Sequence, residues 1–161
     1  MGVSGCGKSS VGASLAAALG LTFVEGDTLH PRANVEKMSK GIALDDADRW
    51  PWLEEIGAAL RSGSGAGVVV SCSALKRSYR QTLRQAANGA LQIVFLQGSR
   101  AVLEQRLQQR PDHFMPATLL QSQLETLENP SDETGVITVD IDQPLPVICD
   151  SALRAILRVG F

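Results

Sequence analysis

A glycine-rich stretch at the start of the chain constrains its fold more than any other feature. Its residues, Gly2-Val3-Ser4-Gly5-Cys6-Gly7-Lys8-Ser9, satisfy the pattern G-x-x-x-x-G-K-[ST]. Glycines let the backbone wrap closely enough for several N–H groups to point at one phosphate, and a following helix turns its positive dipole end toward the same anion. The pattern therefore predicts a P-loop. A dinucleotide-binding G-x-G-x-x-G is excluded, because Ser10 stands where its third glycine would be.

The motif also predicts roles for its own residues. Lys8 is expected to reach the β- and γ-phosphates of a triphosphate, and the Ser9 hydroxyl to ligate Mg²⁺. The residues of this stretch predicted to bind nucleotide are Gly2, Ser4, Gly5, Cys6, Gly7, Lys8, Ser9 and Ser10. A P-loop ordinarily follows a central β-strand, whereas only Met1 precedes the motif here. We therefore expect a further apolar strand upstream of Met1 in the natural protein.

Short apolar runs alternate with amphipathic segments along the rest of the chain. Strands are expected at 22–26, 68–70, 91–96 and 135–140. Helices are expected at 11–19, 31–38, 45–60, 75–87, 99–110, 116–127 and 146–159. Apolar strands separated by helices predict an α/β fold with a parallel sheet covered on both faces. The length of 161 residues, without an internal repeat, indicates a single domain over residues 1–161.

Composition and charge argue against several classes of protein. A net charge of -2 provides no basic surface for a long phosphate backbone, so nucleic acid is not expected as a partner. No apolar run approaches the ~18 residues of a membrane span, and no signal peptide is recognisable, so no membrane association is expected. Cys6, Cys72 and Cys149 are far apart and form no C-x-x-C pair. Such cysteines favour a reducing cytoplasm over a disulfide framework or a zinc site.

Polar side chains follow the strand predicted at 22–26. The carboxyl ends of parallel strands line the crevice in which α/β proteins bind ligands. Asp27 is therefore predicted to contact a substrate hydroxyl as general base or orienting group, Glu25 to hold a Mg²⁺-bound water, and His30 to contact substrate. The alternative is purely structural, because Asp27 or Thr28 could cap the next helix and His30 could be an ordinary loop histidine.

Basic side chains cluster at two further places. Lys76 and Arg80 are four residues apart on one predicted helix face, so their two cations could converge on an anionic group of the substrate. Arg106, Arg110 and His113 lie on and just beyond another predicted helix. In phosphoryl transfer, arginines on a mobile flap stabilise the transferring group while water is excluded. Both clusters could instead be solvated surface charge, which is favoured at a helix C-terminus.

Four sequence blocks follow the P-loop in a fixed order. They are G-D-x-L-H-P from Gly26, D-R-x-P-W-L from Asp48, C-S-A-L-K from Cys72 and D-I-D-Q-P from Asp140. Together with the P-loop they extend through nearly the whole chain, and in this combination the chain resembles a gluconate kinase of the small P-loop type. It departs from that family in the absent first strand and at Cys6, where a small residue such as serine is familiar.

The resemblance implies a three-layer P-loop fold with strand order 2-3-1-4-5, counting the expected upstream strand as the first. It further implies a helical lid around residues 106–125 that closes over ATP. The implied reaction is transfer of the γ-phosphoryl group of ATP, with Mg²⁺, to the 6-hydroxyl of D-gluconate, carried out by a homodimer. Two alternatives stay open: a related kinase for another acceptor, such as shikimate or a nucleotide, and a nucleotide-binding protein without catalysis.

The resemblance also implies which residues form the site. Those expected to take part in catalysis are Lys8, Asp27 and Arg110. Those expected to bind the sugar acid are Asp27, His30, Arg49, Lys76, Arg80 and His113. Those expected to contact the nucleotide beyond the P-loop are Arg106, Asp142, Gln143 and Pro144.

Overall fold

Seven α-helices and four β-strands lie in residues 1–63, 66–109 and 117–160, the part of the chain that the computed structural model describes. The helices are α1 (Lys8–Leu19), α2 (Arg32–Ser39), α3 (Asp46–Ser62), α4 (Arg77–Ala86), α5 (Arg100–Gln108), α6 (Ala117–Thr126) and α7 (Leu145–Val159). The strands are β1 (Thr22–Val24), β2 (Val68–Val70), β3 (Ile93–Gln97) and β4 (Val136–Asp140). No helix within these ranges has the length and apolar character needed to cross a bilayer.

The strands form two parallel pairs, β1 with β2 and β3 with β4. Met1 and Gly2 lie between the pairs. The amide of Gly2 donates to the carbonyl of Ser73 beyond β2 at 3.3 Å, and the amide of Leu96 in β3 donates to the carbonyl of Met1 at 3.0 Å. The predicted α/β class with parallel strands is confirmed. The complete order 2-3-1-4-5, which includes a strand before the P-loop, stays a prediction.

Most predicted elements are present with ends shifted by a few residues, and two shifts have clear causes. The strand predicted at 22–26 ends at Val24, because a 3-10 helix begins at Gly26 and runs to Leu29. The helix predicted from 75 begins at Arg77. Its predicted first residue, Leu75, instead offers its carbonyl to the guanidinium of Arg80 at 2.9 Å, which keeps this segment outside the helical hydrogen-bond pattern.

Helix α3 begins with reciprocal capping. The Asp45 carboxylate accepts a hydrogen bond from the amide of Asp48 at 2.9 Å, and the Asp48 carboxylate accepts one from the amide of Asp45 at 3.1 Å. Such a capping box satisfies two amides that the first helical turn leaves without partners. It fixes the direction in which α3 leaves the preceding loop, and therefore where the side chains of its first two turns point.

Two clusters of buried apolar side chains hold the fold together. The first lies among α1, β3, β4, α5, α6 and α7, and it includes Val3 and Cys6 of the P-loop. The second joins α3 to α4 through Trp52 and Tyr79, and Met1 packs against it. Burial of this apolar surface is the main stabilising contribution to folding. The P-loop therefore lies where the two cores meet and is anchored from both sides.

Candidate active site

The backbone of the P-loop has a conformation that only glycine adopts readily at three positions. Gly2, Gly5 and Gly7 have φ angles of 145°, 83° and 94°. A Cβ atom on Gly5 would also lie 3.1 Å from the carbonyl oxygen of Leu103 in α5. Gly7 precedes α1 without any side-chain cap, so no capping side chain occupies the amides of the first turn. Such amides, at the positive end of the helix dipole, form an anion-binding site.

The loop is tied to its surroundings by two polar contacts. The Lys8 ammonium donates to the carbonyl of Val3 at 3.1 Å, so it curls back over the loop. The amide of Ser4 donates to Oε1 of Gln123 at 2.7 Å, which joins the loop to α6 within the predicted lid. The sequence gives no signal for the second contact, because its partners are 119 residues apart. Cys6 is wholly buried, so this residue can serve a ligand only through its backbone.

Arg106 connects the P-loop to the segment predicted to lie near adenine. Its Nη2 donates to the carbonyls of Ile141 at 2.6 Å and Gln143 at 3.3 Å. A Cβ atom on Gly7 would lie 3.6 Å from Nη1 of Arg106, so the guanidinium of Arg106 lies beside the P-loop. The structure therefore brings together the P-loop, Arg106 and the residues 142–144, all of which are predicted nucleotide contacts.

The turn after β1 is held by a hydroxyl from the neighbouring strand. Ser71, just beyond β2, donates to the carboxylate of Glu25 and accepts from the amide of Gly26 at 3.0 Å. Gly26 has no room for a side chain, because a Cβ atom would lie 1.9 Å from the carbonyl oxygen of Ser71. The turn fixes Glu25 and leads into the 3-10 helix, which presents Asp27 to solvent. We had not predicted Ser71, although it follows a strand as the predicted polar residues do.

His30 lies flat against an aromatic ring in the second core. Its ring stacks on Trp52 with centroids 4.2 Å apart and planes 12° from parallel. Burial lowers the pKa of His30 to about 4, with the positive charge of Arg49 lowering it further and the carboxylate of Asp27 opposing both. The side chain is therefore neutral at physiological pH. These interactions also show that three predicted substrate residues, Asp27, His30 and Arg49, lie close together.

An open cleft of about 540 Å³ lies where the start of α3 faces α4. Its lining residues are Leu44, Asp45, Asp46, Ala47, Arg49, Lys76, Tyr79 and Thr126. This volume is within the range of small-molecule sites, and the lining carries cationic, carboxylate and hydroxyl groups. Two of the predicted substrate residues, Arg49 and Lys76, therefore face one cavity.

Arg49 is the most informative residue of the cleft. It is only 7% exposed, and burial lowers the pKa of its guanidinium. Among the described residues it donates only to the carbonyl of Leu44, from Nε at 3.3 Å. Its terminal nitrogens have no partner among the described residues and are not fully buried, and Arg49 lines the cleft. They offer charge-assisted donors to an anion or a hydroxyl.

Lys76 lines the same cleft but is paired with a carboxylate. Its ammonium lies 2.7 and 2.9 Å from the two oxygens of Asp46, and the Tyr79 hydroxyl donates to that carboxylate as well. The hydrogen bond from Lys76, followed by that from Tyr79, holds the pKa of Asp46 below its usual range. The sequence does not reveal Asp46 and Tyr79 as members of the site, since the Asp46–Lys76 pair joins residues 30 apart.

The prediction that Arg80 binds substrate is wrong. Arg80 is wholly buried, and all five of its N–H groups are used within the protein. Nη1 donates to the carbonyls of Ala74 and Leu75 at 2.9 Å each, Nη2 donates to the carbonyl of Glu128 at 3.1 Å, and Nη2 and Nε both donate to the Glu133 carboxylate. Arg80 therefore anchors the segment between α6 and β4 against α4 and has no donor left for a ligand.

Comparison with known proteins identifies the family to which this chain belongs. A family model described as an AAA domain matches residues 1–130. The gluconokinase of Gluconobacter oxydans is 50% identical to this chain, over 96% of this chain and 87% of its own length. The thermoresistant gluconokinase of Escherichia coli is 45% identical, with 98% and 91% of the two chains covered. The chain belongs to the gluconokinase family. A crystal structure of a gluconokinase from Sinorhizobium meliloti is similar with a TM-score of 0.93 and 57% identity, over 99% of this chain and 90% of that one.

The gluconokinase family assignment confirms the predicted P-loop kinase fold and the resemblance on which it was based. Two predicted site residues, Arg110 and His113, lie outside the described residues, as does part of the predicted lid, so these stay predictions. In the described ranges no three His, Cys, Asp or Glu side chains are grouped so as to hold a metal ion. The Mg²⁺ contacts predicted for Ser9 and Glu25 stay predictions.

Proposed function

We propose that this chain transfers the γ-phosphoryl group of ATP to the 6-hydroxyl of D-gluconate, giving 6-phospho-D-gluconate and ADP. Support comes from the gluconokinase names of its relatives and from a cleft suited to a small polyhydroxy acid. The observation that carries the proposal is Arg49, a buried cation that lines that cleft and whose terminal nitrogens have no partner among the described residues. A sugar carboxylate or a row of hydroxyls would complete its hydrogen bonds.

The nucleotide is proposed to bind along the P-loop and α1. The loop amides and Lys8 would hold the β- and γ-phosphates, while Arg106 and the residues 142–144 would lie beside the rest of the nucleotide. Support comes from the contacts of Arg106 with the carbonyls of Ile141 and Gln143. Arg110 is proposed to add positive charge to the transferring group from the lid.

The acceptor is proposed to bind between the 3-10 helix and the cleft. The oxygen of the 6-hydroxyl would form a bond to the γ-phosphorus, and Asp27 would accept the proton that this hydroxyl loses. The bond between the γ-phosphorus and the β–γ bridging oxygen would break, which releases ADP. Arg49 and Lys76 would bind the carboxylate end, with His113 as a further proposed contact and His30 as a neutral donor to a hydroxyl. Catalysis of this kind depends mainly on positioning and electrostatic stabilisation, which fixed side chains provide.

Mg²⁺ is proposed to bind together with ATP. The hydroxyl of Ser9 and, through water, the carboxylate of Glu25 are hard oxygen donors of the type that Mg²⁺ prefers. The Ser71 hydrogen bond holds Glu25 through Oε1, and no described residue donates to its second oxygen. Mg²⁺ usually retains several waters and needs only one or two protein ligands, so this small donor set fits. When bound, the ion would supply positive charge to the phosphates.

A homodimer is proposed from the family resemblance, and a cytoplasmic location is proposed from the cysteine content. The free state of Cys6, Cys72 and Cys149 is compatible with a reducing compartment.

The acceptor can be tested by measuring ADP release over a panel of compounds. Purified protein with ATP and Mg²⁺ is assayed with D-gluconate, shikimate and nucleoside monophosphates, and a reaction without acceptor gives the background hydrolysis of ATP. Among these acceptors, we expect only D-gluconate to be phosphorylated. Faster turnover with shikimate or a nucleotide would replace the proposed acceptor, and ATP binding without any acceptor-dependent ADP would favour a protein without catalysis.

A further inference from the structure

The side-chain amide of Asn34 can be oriented in only one way. Asn34 is buried in α2, and one of its terminal atoms lies 2.7 Å from the backbone carbonyl oxygen of Asp48. A carbonyl oxygen only accepts hydrogen bonds, so this terminal atom is the amide nitrogen Nδ2. The same nitrogen lies 3.3 Å from Nδ1 of His30 and has one hydrogen left to donate. Nδ1 of His30 is therefore the acceptor in this contact.

This contact determines which nitrogen of His30 carries the proton. A ring nitrogen that accepts a hydrogen bond has no hydrogen, so the proton of a neutral ring is on Nε2. The stacking on Trp52 fixes the plane of the ring, and Trp52 is itself held by a hydrogen bond from Nε1 to the carbonyl of Gly26 at 2.8 Å. No residue in the described part of the chain accepts a hydrogen bond from Nε2 of His30.

The carbonyl that orients Asn34 belongs to a residue with contacts to both neighbouring helices. Asp48, which provides the carbonyl, belongs to the capping box of α3 and also pairs with Lys37 of α2 at 2.7 Å. The backbone that orients Asn34 is thus fixed to both helices.

We propose that Asn34 is a positioning residue that holds His30 as the neutral tautomer with its hydrogen on Nε2, so that the ring offers a single hydrogen-bond donor to a hydroxyl of the acceptor. The identity of the acceptor rests on the proposed function, whereas the tautomer does not. An uncharged donor suits a hydroxyl, while the carboxylate end of a sugar acid suits the cation of Arg49. The two residues would thereby distinguish the two ends of one small substrate.

Burial outweighs the charged groups that act on His30. Burial, the largest influence, opposes protonation, Asp27 favours it and Arg49 opposes it, so the pKa of His30 is about 4. The ring is therefore expected to remain neutral between about pH 6 and 8, the range in which an ordinary histidine titrates.

The tautomer can be read from the nitrogen resonances of histidine in the complete, ¹⁵N-labelled protein. The chain has two histidines, so the His30→Gln variant assigns the signals. In the wild type we expect an unprotonated Nδ1 and a protonated Nε2 in His30, unchanged between about pH 6 and 8. A wild-type spectrum with the proton on Nδ1, or a ring that titrates in this range, would overturn the inference without any variant.

The role of Asn34 is tested by the Asn34→Asp variant, in which a carboxylate of similar shape accepts instead of donating. The proton of His30 is expected to move to Nδ1, and KM for D-gluconate to rise by about tenfold, the effect of losing roughly one hydrogen bond, while KM for ATP is unchanged. Asn88→Asp is the matched control, because Asn88 is exposed in the turn after α4, and it should change neither the spectrum nor KM.

The outcomes separate this inference from the proposed function. A proton that moves to Nδ1 in Asn34→Asp without any change in KM for D-gluconate would overturn the positioning role. The expected wild-type spectrum together with no gluconate-dependent ADP would overturn the proposed acceptor and still support the tautomer. If Asn34→Asp fails to fold, the wild-type spectrum alone decides the tautomer.

Discussion

Removing the negative charge of Glu133 should destabilise the protein without weakening its binding of substrate. Glu133 is the only carboxylate that accepts from the wholly buried Arg80 within the described ranges, and it also pairs with Arg84 at 2.8 Å. In Glu133→Gln the guanidinium of Arg80 remains buried without a counter-charge. Removing one partner of a buried ion pair typically costs about 3–5 kcal/mol of stability. We expect a loss of about 3 kcal/mol, the lower end of this range, because Arg84, the second partner of Glu133, is partly exposed to water. For 161 residues this lowers Tm by about 6–12 °C.

Thermal and urea denaturation measure this loss, and Glu104→Gln is the matched control. Glu104 pairs with Arg100 on the exposed face of α5, where an ion pair contributes at most about 1 kcal/mol. KM for D-gluconate, measured well below Tm, should be unchanged in Glu133→Gln, because Arg80 does not reach the cleft. A loss of stability as small as that of the control would refute the structural role of Arg80, and a raised KM would return Arg80 to the substrate site.

The same pair predicts how stability depends on pH. The hydrogen bond from Arg80, the largest influence, holds the pKa of Glu133 below its usual range. A carboxylate with a lowered pKa in the folded state stabilises the protein above its unfolded pKa of about 4.3, and the contribution is lost as pH falls through the folded value. The stability difference between wild type and Glu133→Gln should therefore be full at neutral pH and shrink in acid. A difference that stayed constant into acid would contradict the charge pairing.

Three further predictions concern the site and its frame. Arg49→Gln should raise KM for D-gluconate by about ten- to a hundredfold, because charge-assisted hydrogen bonds contribute about 1.5–3 kcal/mol. The control variant Arg61→Gln, on the exposed end of the same helix, should leave this KM unchanged. If initial-rate assays give Arg49→Gln the same KM as the wild type, Arg49 is excluded from the site. Lys8→Ala and Asp27→Asn should each lower kcat by orders of magnitude, and an Asp27→Asn enzyme of nearly normal rate would remove that carboxylate from the mechanism. Gly26→Ala would place a Cβ atom 1.9 Å from the carbonyl oxygen of Ser71, so urea denaturation should show that the free energy of unfolding falls by several kcal/mol. A variant as stable as the wild type would contradict the tight turn.

The elements of the fold were predictable because their signals are local. The three valines of β2 form a strand as predicted, although they are half-buried and not fully buried, Gly20 ends α1 in the left-handed conformation, and Asp45 caps α3. Each depends on residues within a few positions of each other, as periodicity and capping rules require. The P-loop was predictable for the same reason, since all its groups belong to one continuous segment.

The roles of individual side chains were less predictable, because they depend on partners distant in sequence. Lys76 and Arg80 share a helical spacing that suggested one ligand, yet Arg80 is turned into the protein by Glu133, 53 residues later. Gln123 meets Ser4 across 119 residues. Asn34 left a weak local signal in its spacing of four from His30, but only the position of the Asp48 carbonyl shows which way its amide faces.

The most direct test of the account follows the reaction by phosphorus NMR. The protein is incubated with ATP, Mg²⁺ and D-gluconate, and the proton-coupled ³¹P spectrum is recorded as ADP appears. Transfer to the terminal hydroxyl predicts a new monoester signal split by two equivalent or nearly equivalent protons, formed in equal amount with ADP. Inorganic phosphate in place of the ester, or an ester coupled to one proton only, would contradict the proposed alignment of ATP on the P-loop with the 6-hydroxyl at Asp27.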